Sequence, residues 1–356
     1  MEKMMNTKIY GTIGPACQDT DTLVRLFEKG MTGVRLNLSH SDLAGAAGWI
    51  AHIREAYARW KEQNPGQQPA TPELLIDLKG PELRIGTLAW SQMLEQGELV
   101  TLIPEQEERP AGIRELPVPE IVLSHLNVGQ EVLLNDGKIL LRVILTHGEN
   151  RHFVQCDVRR GGEIRSGKSI ALPGVKVHPP TLTKSDLENI REAKKYGVTG
   201  VMLPFVRDKE DLIRLKQVLI NEKVEDIRIF AKIENIDGVH KLPELLPYCD
   251  EVVIARGDLG NAMPLWDLPV VQAQIAALCR QKEKPFMVVT QMLASMEQAA
   301  VPTRAEVSDI FRAAWEGAAS VMLTGETAVG KYPVEAMEYM VNTVQKAEEY
   351  RNENRI

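Results

Sequence analysis

Short apolar runs alternate along most of the chain with longer segments whose apolar residues recur every three to four positions. The first pattern predicts buried β-strands and the second predicts amphipathic helices, so their alternation is typical of βα units around a parallel sheet. Strands are predicted over 8–12, 33–36, 74–78, 199–203, 227–233, 251–255, 286–289 and 320–323. Helices are predicted over 21–29, 42–62, 182–196, 208–221, 303–316 and 333–352.

One stretch breaks this alternation. Between residues 87 and 171 the pattern is one of short strands, separated by turn sequences at Asn135-Asp136-Gly137 and Arg160-Gly161-Gly162. We therefore predict an α/β fold, a (β/α)₈ TIM barrel built from residues 1–86 and 172–356. A small all-β domain, 87–171, is inserted after the third strand. The 356 residues less the insert leave the roughly 250 that such a barrel needs.

Composition narrows the class of protein. The hydrophobic fraction of 44% and the charged fraction of 26% are those of a soluble globular protein. The net charge of −7 argues against nucleic acid or an anionic membrane as the main partner. No secretion signal and no apolar run of 18 residues occurs, so no membrane span is predicted. Four separated cysteines without CxxC spacing favour free thiols in a reducing cytoplasm.

Three charged residues close two neighbouring apolar runs. Lys232 and Glu234 are two apart and share a strand face, and Asp258 follows the next run within Arg256-Gly257-Asp258. Charges on an inward face cost several kcal/mol unless they are paired or functional. Two carboxylates can hold Mg²⁺ or Mn²⁺ beside a phosphorylated substrate, and the lysine adds a point charge for an anion. The alternatives are a surface ion pair for Lys232 and Glu234 and simple turn chemistry for Asp258.

Further polar residues end other predicted strands, which is the face that carries the active site in this fold. Arg35, Asn37 and Ser39 alternate and share a face. With Asp77 they offer a guanidinium for phosphate and oxygen atoms for a monovalent cation, although a polar rim over the barrel is the alternative. Thr290 closes the seventh strand, and its hydroxyl could bind a carboxylate or simply belong to a β-branched strand residue.

One motif matches a phosphate-binding pattern without predicting such a site. Residues 162–169 match the G-x-x-x-x-G-K-[ST] pattern of a phosphate-binding loop. Such a loop must open a helix, whose N-terminus cradles the phosphates. Here Pro173-Gly174 follows within a few residues of Ser169, so a helix has no room. We interpret the match as chance inside the β insert.

Ten sequence blocks together resemble the pyruvate kinase family. They include TKIYGTIGPA, GMTGVRLNLSH, IDLKGPELRIGT, AKIEN, VIARGDLG, VTQML and MLTGETAVGKYP, in the family's order. The resemblance runs from about residue 7 to about residue 350. It implies a (β/α)₈ barrel with a mobile β-domain lid, in agreement with the pattern above.

The resemblance also implies roles for the charged residues. Glu234 and Asp258 would hold the divalent metal between enzyme and substrate. Lys232 would stabilise charge on the phosphoryl group in transfer and on the enolate oxygen, and Arg35 would bind the phosphate. The substrates would be phosphoenolpyruvate and ADP, and the products pyruvate and ATP. Phosphoryl transfer through a loose transition state needs positioning and charge neutralisation, which metals and a lysine supply.

The remaining site residues follow from the same resemblance. Thr290, with the backbone amides of Gly257 and Asp258, would bind the substrate carboxylate. The K⁺ ligands would be Asn37, Ser39, Asp77 and the carbonyl of Leu78, with Glu82 where K⁺-dependent members carry glutamate. The nucleotide- and lid-side residues would be His40, Arg84, Asp136 and Lys168.

The sequence also departs from the family pattern. Pro204 stands where the family usually has serine, Ala171 replaces an asparagine, and Asn261-Ala262 replace an apolar residue and a glutamate. Family members usually continue into a C-terminal regulatory domain, whereas this sequence ends at Ile356, so we expect effector regulation of the usual type to be absent. A homodimer through the barrel is a further expectation.

Three functions remain in competition. The leading hypothesis is a metal-dependent phosphotransferase between phosphoenolpyruvate and ADP without the usual allosteric domain. The second is a decarboxylase- or aldolase-type paralogue acting on a pyruvate-like 2-oxo acid, since Pro204 and Ala171 alter the phosphoryl or lid side and spare the carboxylate side. The third is a non-catalytic ligand sensor that kept the site.

Overall fold

The computed structural model describes residues 7–39, 41–65, 71–81, 83–105, 112, 114–135, 137–147, 153–175, 177 and 179–354. The chain divides into two compact units. The first comprises Met1–Gly80 and Thr181–Ile356, and the second comprises Pro81–Pro180.

The first unit contains a closed barrel of eight parallel strands, as the alternating pattern predicts. Around the barrel the order is β1-β2-β3-β12-β13-β14-β15-β16, and β16 pairs with β1 to close it. The strands are β1 (Lys8–Thr12), β2 (Gly33–Asn37), β3 (Glu73–Asp77), β12 (Gly200–Leu203), β13 (Arg228–Ile233), β14 (Glu251–Ala255), β15 (Phe286–Val289) and β16 (Ser320–Leu323). All eight coincide with predicted strands to within one residue at each end, because each is an apolar run bounded by polar or glycine residues.

Large side chains fill the inside of the barrel. Tyr10 and Phe230 are fully buried there, and they belong to an inner cluster with methionine and valine side chains from the other strands. Two glycines make room for them. A Cβ on Gly33 would lie 2.3 Å from the Tyr10 ring, and one on Gly200 would lie 2.6 Å from the Phe230 ring. The interior is therefore a packed core, and a second apolar core lies between the strands and the surrounding helices.

Helices follow the strands, and polar caps define where several of them begin. Thr183 and Asp186 form the expected capping box, and Thr303 with Glu306 forms another. The helices of this unit are α1 (Thr20–Glu28), α2 (Ala47–Gln63), α4 (Lys184–Tyr196), α5 (Lys209–Asn221), α6 (Ile236–His240), α7 (Leu242–Leu245), α8 (Arg256–Asn261), α9 (Leu268–Gln281), α10 (Arg304–Trp315), α11 (Gly325–Ala328) and α12 (Pro333–Asn354). Two 3₁₀ turns cover Leu246–Tyr248 and Ala294–Glu297.

Helix α9, which is 14 residues long, has no counterpart among the predicted helices, and two further differences have local causes. Helix α2 begins five residues later than predicted because Asp42 forms a turn, in which its carboxylate accepts from the Gly45 amide at 2.7 Å. Helix α8 is likewise absent from the predicted helices, since Gly257 and Gly260 have low helix propensity. Packing of its buried Leu259 overrides that preference.

The N-terminal end of the barrel is closed by charges. Arg228 lies 3.1 Å from Glu73 and 2.8 Å from Glu251, and Lys8 also pairs with Glu73. The Tyr10 hydroxyl donates to Glu73, and Ser320 donates to Glu251. This network pairs the carboxylates buried at the end opposite to the candidate site.

The second unit is a small β-rich body with its own apolar core. A six-stranded sheet has the order β11-β7-β8-β9-β5-β6, and β10 pairs with β4. The strands are β4 (Gln92–Leu94), β5 (Leu99–Pro104), β6 (Glu115–Val118), β7 (Glu131–Leu134), β8 (Ile139–His147), β9 (Phe153–Arg160), β10 (Gly162–Ile164) and β11 (Ile170–Ala171). The prediction of an all-β insert is wrong in one detail, since a short helix, α3 (Glu120–His125), begins after Pro119 and buries Val122 and Leu123.

Within the part of the chain that the structure describes, no helix combines the length and apolarity that a membrane crossing requires.

Candidate active site

The two charges at the end of β13 contact each other, as their spacing predicts. Lys232 is the fifth residue of the strand and Glu234 is the first residue beyond it. The Lys232 Nζ lies 3.0 Å from Glu234 Oε1. Only 13% of the Lys232 side chain and 1% of the Glu234 side chain are exposed. A surface ion pair is therefore the wrong interpretation, and the pair is buried at the C-terminal end of the barrel.

Asp77 joins this pair to Arg35. The carboxylate of Asp77, at the end of β3, lies 3.1 Å from Lys232 Nζ and 2.6 Å from Arg35 Nη2. Arg35 Nε donates to the same carboxylate at 3.1 Å, and Arg35 Nη1 donates to the Thr12 hydroxyl at 3.3 Å. Four side chains from three strands, Arg35, Asp77, Lys232 and Glu234, thus form one buried cluster, which we call the charge cluster.

Burial and pairing act against each other in the charge cluster. Burial raises the pKa of Asp77, but Lys232 and Arg35 outweigh it and the net pKa is lowered. Burial lowers the pKa of Lys232, but Asp77 and Glu234 outweigh it and the net pKa is raised. Both groups are therefore held in their charged forms.

Glu234 differs from Asp77 in the direction of its shift. Burial raises its pKa, Lys232 opposes this, and the nearby carboxylates of Asp258 and Asp77 raise it further. Asp258 is exposed in the first turn of α8, which follows β14, the strand that pairs with β13. A buried carboxylate whose ionised form is destabilised by a neighbouring carboxylate suits a divalent cation, whose charge removes that repulsion. Within the described ranges no group of three or more His, Cys, Asp or Glu side chains has metal-binding geometry, so this donor set is limited to two carboxylates.

An amide that the sequence did not single out completes the environment of Glu234. The Phe205 N–H donates to Glu234 Oε2 at 2.7 Å. Phe205 can do so because its φ is +55°, a left-handed conformation that is uncommon outside glycine. The preceding Pro204, one of the departures from the family pattern, is buried and lies over Gly80, where an added Cβ would be 2.4 Å from the proline ring.

Thr290 and Gln291 follow β15 in a strained conformation. Their φ angles are +69° and +53°, which cost about 1–3 kcal/mol each outside glycine. The Thr290 hydroxyl accepts from the Gly257 amide at 2.8 Å and donates to the Val289 carbonyl at 2.6 Å. The structure thus brings together Thr290 and Gly257, two of the residues predicted to surround the substrate carboxylate.

The predicted K⁺ ligands lie at the ends of β2 and β3. The Asn37 carbonyl oxygen of the side chain accepts from the Ser39 amide at 3.2 Å. Leu78 is buried, and its amide donates to the Met202 carbonyl at 3.1 Å. Asp77 is here the counterion of Arg35 and Lys232, a use that the sequence analysis did not foresee because residue 77 and residue 232 are far apart in the chain.

The predicted nucleotide-side residues are divided between the two units. Arg84 and Lys168 belong to the second unit, where Arg84 Nη1 donates to the Gly167 carbonyl at 2.6 Å and the Lys168 carbonyl accepts from the Ile85 amide at 2.8 Å. Ser169 forms a β-bridge with Arg84, so the P-loop pattern runs through extended chain and opens no helix. His40, Glu82 and Asp136 lie outside the described residues.

Comparisons with known proteins agree on one family. The family model described as "Pyruvate kinase, barrel domain" matches residues 4–337. Pyruvate kinase of Bacillus licheniformis is 36% identical over 354 residues, which cover 99% of this chain and 59% of that protein. Pyruvate kinase of Staphylococcus epidermidis is 37% identical over 97% of this chain and 57% of its own length, and that of Geobacillus stearothermophilus is 36% identical over 96% and 57%. The chain therefore spans less than two thirds of the length of these relatives.

Proposed function

This chain belongs to the pyruvate kinase family, and from that premise we propose that it transfers the phosphoryl group of phosphoenolpyruvate to ADP, giving pyruvate and ATP. The observation that carries the proposal is the charge cluster at the C-terminal end of the barrel. Its buried lysine and arginine lie beside carboxylates suited to a divalent metal, and phosphoryl transfer demands this combination.

The proposal gives Glu234 and Asp258 the role of holding Mg²⁺ or Mn²⁺. The Asp258 carboxylate supports this role, since it raises the pKa of Glu234 in addition to the effect of burial. The bound ion would neutralise negative charge on the phosphoryl and enolate oxygens. Asn37, Ser39, Asp77 and the Leu78 carbonyl, with Glu82, would hold K⁺ nearby.

Arg35 and Lys232 are proposed to bind the phosphoryl group. Both are charged and largely shielded from solvent, so their positive charge acts in a medium that screens it poorly. During transfer the bond between phosphorus and the enol oxygen breaks, its electron pair stays on that oxygen, and a terminal phosphate oxygen of ADP forms the new bond. Lys232 then stabilises the enolate oxygen until carbon takes up a proton to give pyruvate.

The carboxylate of the substrate is assigned to the part of the site formed by the start of α8 and the end of β15. The amides of Gly257 and Asp258 lie in the first turn of α8, and the Thr290 hydroxyl is hydrogen bonded to the first of them. Amides at a helix start favour an anion. His40, Arg84, Asp136 and Lys168 would contact ADP, and residues 87–171 would act as a lid. A homodimer through the barrel and a cytoplasmic location complete the proposal.

The decisive experiment is pyruvate release from phosphoenolpyruvate and ADP with Mg²⁺, measured with and without K⁺. Lys232→Met removes the ammonium and is expected to abolish turnover, because the loss affects charge that develops in the transition state. The matched control is Lys282→Met, which makes the same change at an exposed position beyond α9 and is expected to keep full turnover. A folded wild-type protein that binds Mg²⁺ and gives no pyruvate would refute the proposal.

One observation favours a second candidate. Pro204 is buried and immediately precedes Phe205, whose amide binds Glu234, at a position where relatives usually carry a hydroxyl, so this part of the site is less polar than the resemblance leads one to expect. A metal-dependent decarboxylase or aldolase of a pyruvate-like 2-oxo acid would still use Lys232, Glu234 and Asp258. Oxaloacetate turnover faster than phosphoenolpyruvate turnover would support that alternative. Binding of phosphoenolpyruvate and Mg²⁺ without turnover of either substrate would support a sensor.

A further inference from the structure

Arg256 makes an unusual set of contacts for a residue outside the charge cluster. It is the first residue of α8, and 10% of its side chain is exposed. Its Nη2 donates to the Thr290 carbonyl at 2.8 Å, and its Nε donates to the Val289 carbonyl at 3.3 Å. A single guanidinium therefore binds two successive carbonyls at the end of β15.

The other edge of the guanidinium is anchored to a neighbouring helix. Arg256 Nη1 lies 2.5 Å from the Asp309 carboxylate on α10 and 3.5 Å from the Gln272 side-chain oxygen on α9. The fixed planar fork of arginine allows this division of its donors, whereas a lysine ammonium would not reach both sides. The carbonyl-binding edge is thus held in place from behind.

The carbonyls that Arg256 binds lie where the backbone is strained. Thr290 and Gln291 are consecutive residues with positive φ, and Thr290 is β-branched, for which such a conformation is a true outlier. Nothing in the side chain of Gln291 explains it, since that residue is exposed. Strained residues persist only where surrounding contacts hold them, and two of those contacts here, to the carbonyls of Val289 and Thr290, come from Arg256.

We propose that Arg256 is a positioning residue, which holds the Thr290–Gln291 turn in its left-handed conformation so that the Thr290 hydroxyl stays on the Gly257 amide. Without Arg256 the turn relaxes, the hydroxyl moves, and the wall assigned to the substrate carboxylate loses its shape. The inference rests on the proposed function for its catalytic consequence, while its structural part stands on the contacts alone.

The structural part is tested without any turnover. In protein labelled with [¹⁵N]glycine, the Gly257 amide is expected to exchange with solvent about tenfold faster in Arg256→Met than in the wild type, because its acceptor is lost. Gln291→Gly in the Arg256→Met background should restore slow exchange, since glycine adopts positive φ without strain. Glu283→Gly is the matched control. Glu283 has φ +52° in the exposed turn before β15, so its replacement relieves the same kind of strain at the other end of the strand and should not restore protection.

The catalytic part is tested by kinetics on the same variants. Arg256→Met should lower kcat on the order of tenfold to a hundredfold, with KM for ADP changed by less than about twofold, since a displaced carboxylate wall misaligns the reacting group. Gln291→Gly should recover most of that loss and Glu283→Gly none of it. A purely structural role for Arg256 would lower stability in every background and would not be reversed by a glycine at position 291.

A second variant keeps the test independent of Arg256 itself. Gln291→Val places a β-branched residue at the strained position and leaves Arg256 in place, so it should also speed Gly257 exchange and lower kcat. Unchanged Gly257 exchange in both Arg256→Met and Gln291→Val would overturn the inference. Faster exchange with an unchanged kcat would overturn the catalytic part. An inactive wild type that shows the expected exchange pattern would refute the proposed function and leave the positioning role in place.

Discussion

Replacing Asp77 with asparagine removes the negative charge that Arg35 and Lys232 share in the charge cluster. Asp77 lies 3.1 Å from Lys232 and 2.6 Å from Arg35, and only 3% of its side chain is exposed. Asparagine has nearly the same shape and keeps one acceptor oxygen, so the substitution removes charge and leaves packing intact. Arg35 and Lys232 then face each other without an intervening negative charge.

The expected loss follows from these distances. At an effective dielectric constant near 20, each ion pair at this separation is worth about 5 kcal/mol of Coulomb energy. Part of this is offset because the buried carboxylate no longer has to be desolvated. Breaking a buried pair by removing one partner costs about 3–5 kcal/mol, and we expect the loss in unfolding free energy to fall in that range. That is a large share of the 5–15 kcal/mol of a typical protein.

Urea unfolding followed by tryptophan fluorescence measures this loss. Trp90 is the one tryptophan of the second unit, so a Trp90→Phe background confines the signal to the barrel. Asp21→Asn is the matched control, because Asp21 pairs with Arg59 at 2.5 Å but is 84% exposed, and exposed pairs contribute little to stability. If Asp77→Asn costs no more than Asp21→Asn, the charge cluster is solvated and its assignment as a dry site is wrong.

Three further predictions concern the rest of the chain. Burial raises the pKa of Glu73, but Lys8, Tyr10 and Arg228 outweigh burial and the net pKa is lowered. The stabilisation from Glu73 is therefore present above its unfolded-state pKa and is lost as the pH falls. Glu73→Gln should make the unfolding free energy fall less steeply at acid pH, whereas Glu62→Gln, at an exposed position, should not change that dependence. Gly200→Ala should lower the unfolding free energy by about 1–3 kcal/mol in urea unfolding, because the added Cβ would lie 2.5 Å from Leu75. Gly48→Ala in helix α2, where an added Cβ would meet nothing within 4 Å, should stabilise the protein. Equal effects of the two substitutions would contradict the packing argument. Burial raises the pKa of the Cys156 thiol to about 12, and all four cysteines are buried, so a thiol reagent should label none of them in the native protein and four in urea; rapid labelling of native protein would contradict their burial.

The strands were predictable because their signal is local. Each barrel strand is a run of apolar residues, and in β14, β15 and β16 both predicted ends match the observed ones. The capping box at Thr183 is also readable from two residues three apart. Helix α8 was missed for the same reason, since its local composition opposes a helix and only tertiary packing produces one.

The candidate site was predictable as a set of residues and not as a set of contacts. Strand ends in a barrel converge on one face, so placing Arg35, Lys232 and Glu234 there required only the strand assignment. Which groups pair depends on distances across the barrel mouth. Asp77 lies 155 positions from Lys232 and on a strand that does not pair with β13, so its role as counterion left no trace in the sequence. The strain at Thr290 is likewise invisible there, because a β-branched residue argues against positive φ.

The charges of the site also explain why the proposed reaction would need its cations. Arg35 and Lys232 are balanced within the charge cluster by Asp77 and Glu234, so the cluster is neutral before Asp258 adds one negative charge at the mouth. Phosphoenolpyruvate carries negative charge on both its phosphate and its carboxylate, and the site without bound cations would repel it. In the proposed function, a divalent ion on Glu234 and Asp258 would reverse the sign of the site, and K⁺ beside Asn37 and Ser39 would add positive charge. In the proposed function, metal binding therefore precedes or accompanies substrate binding, and the affinity for phosphoenolpyruvate should depend on Mg²⁺ even when no ADP is present and no transfer can occur.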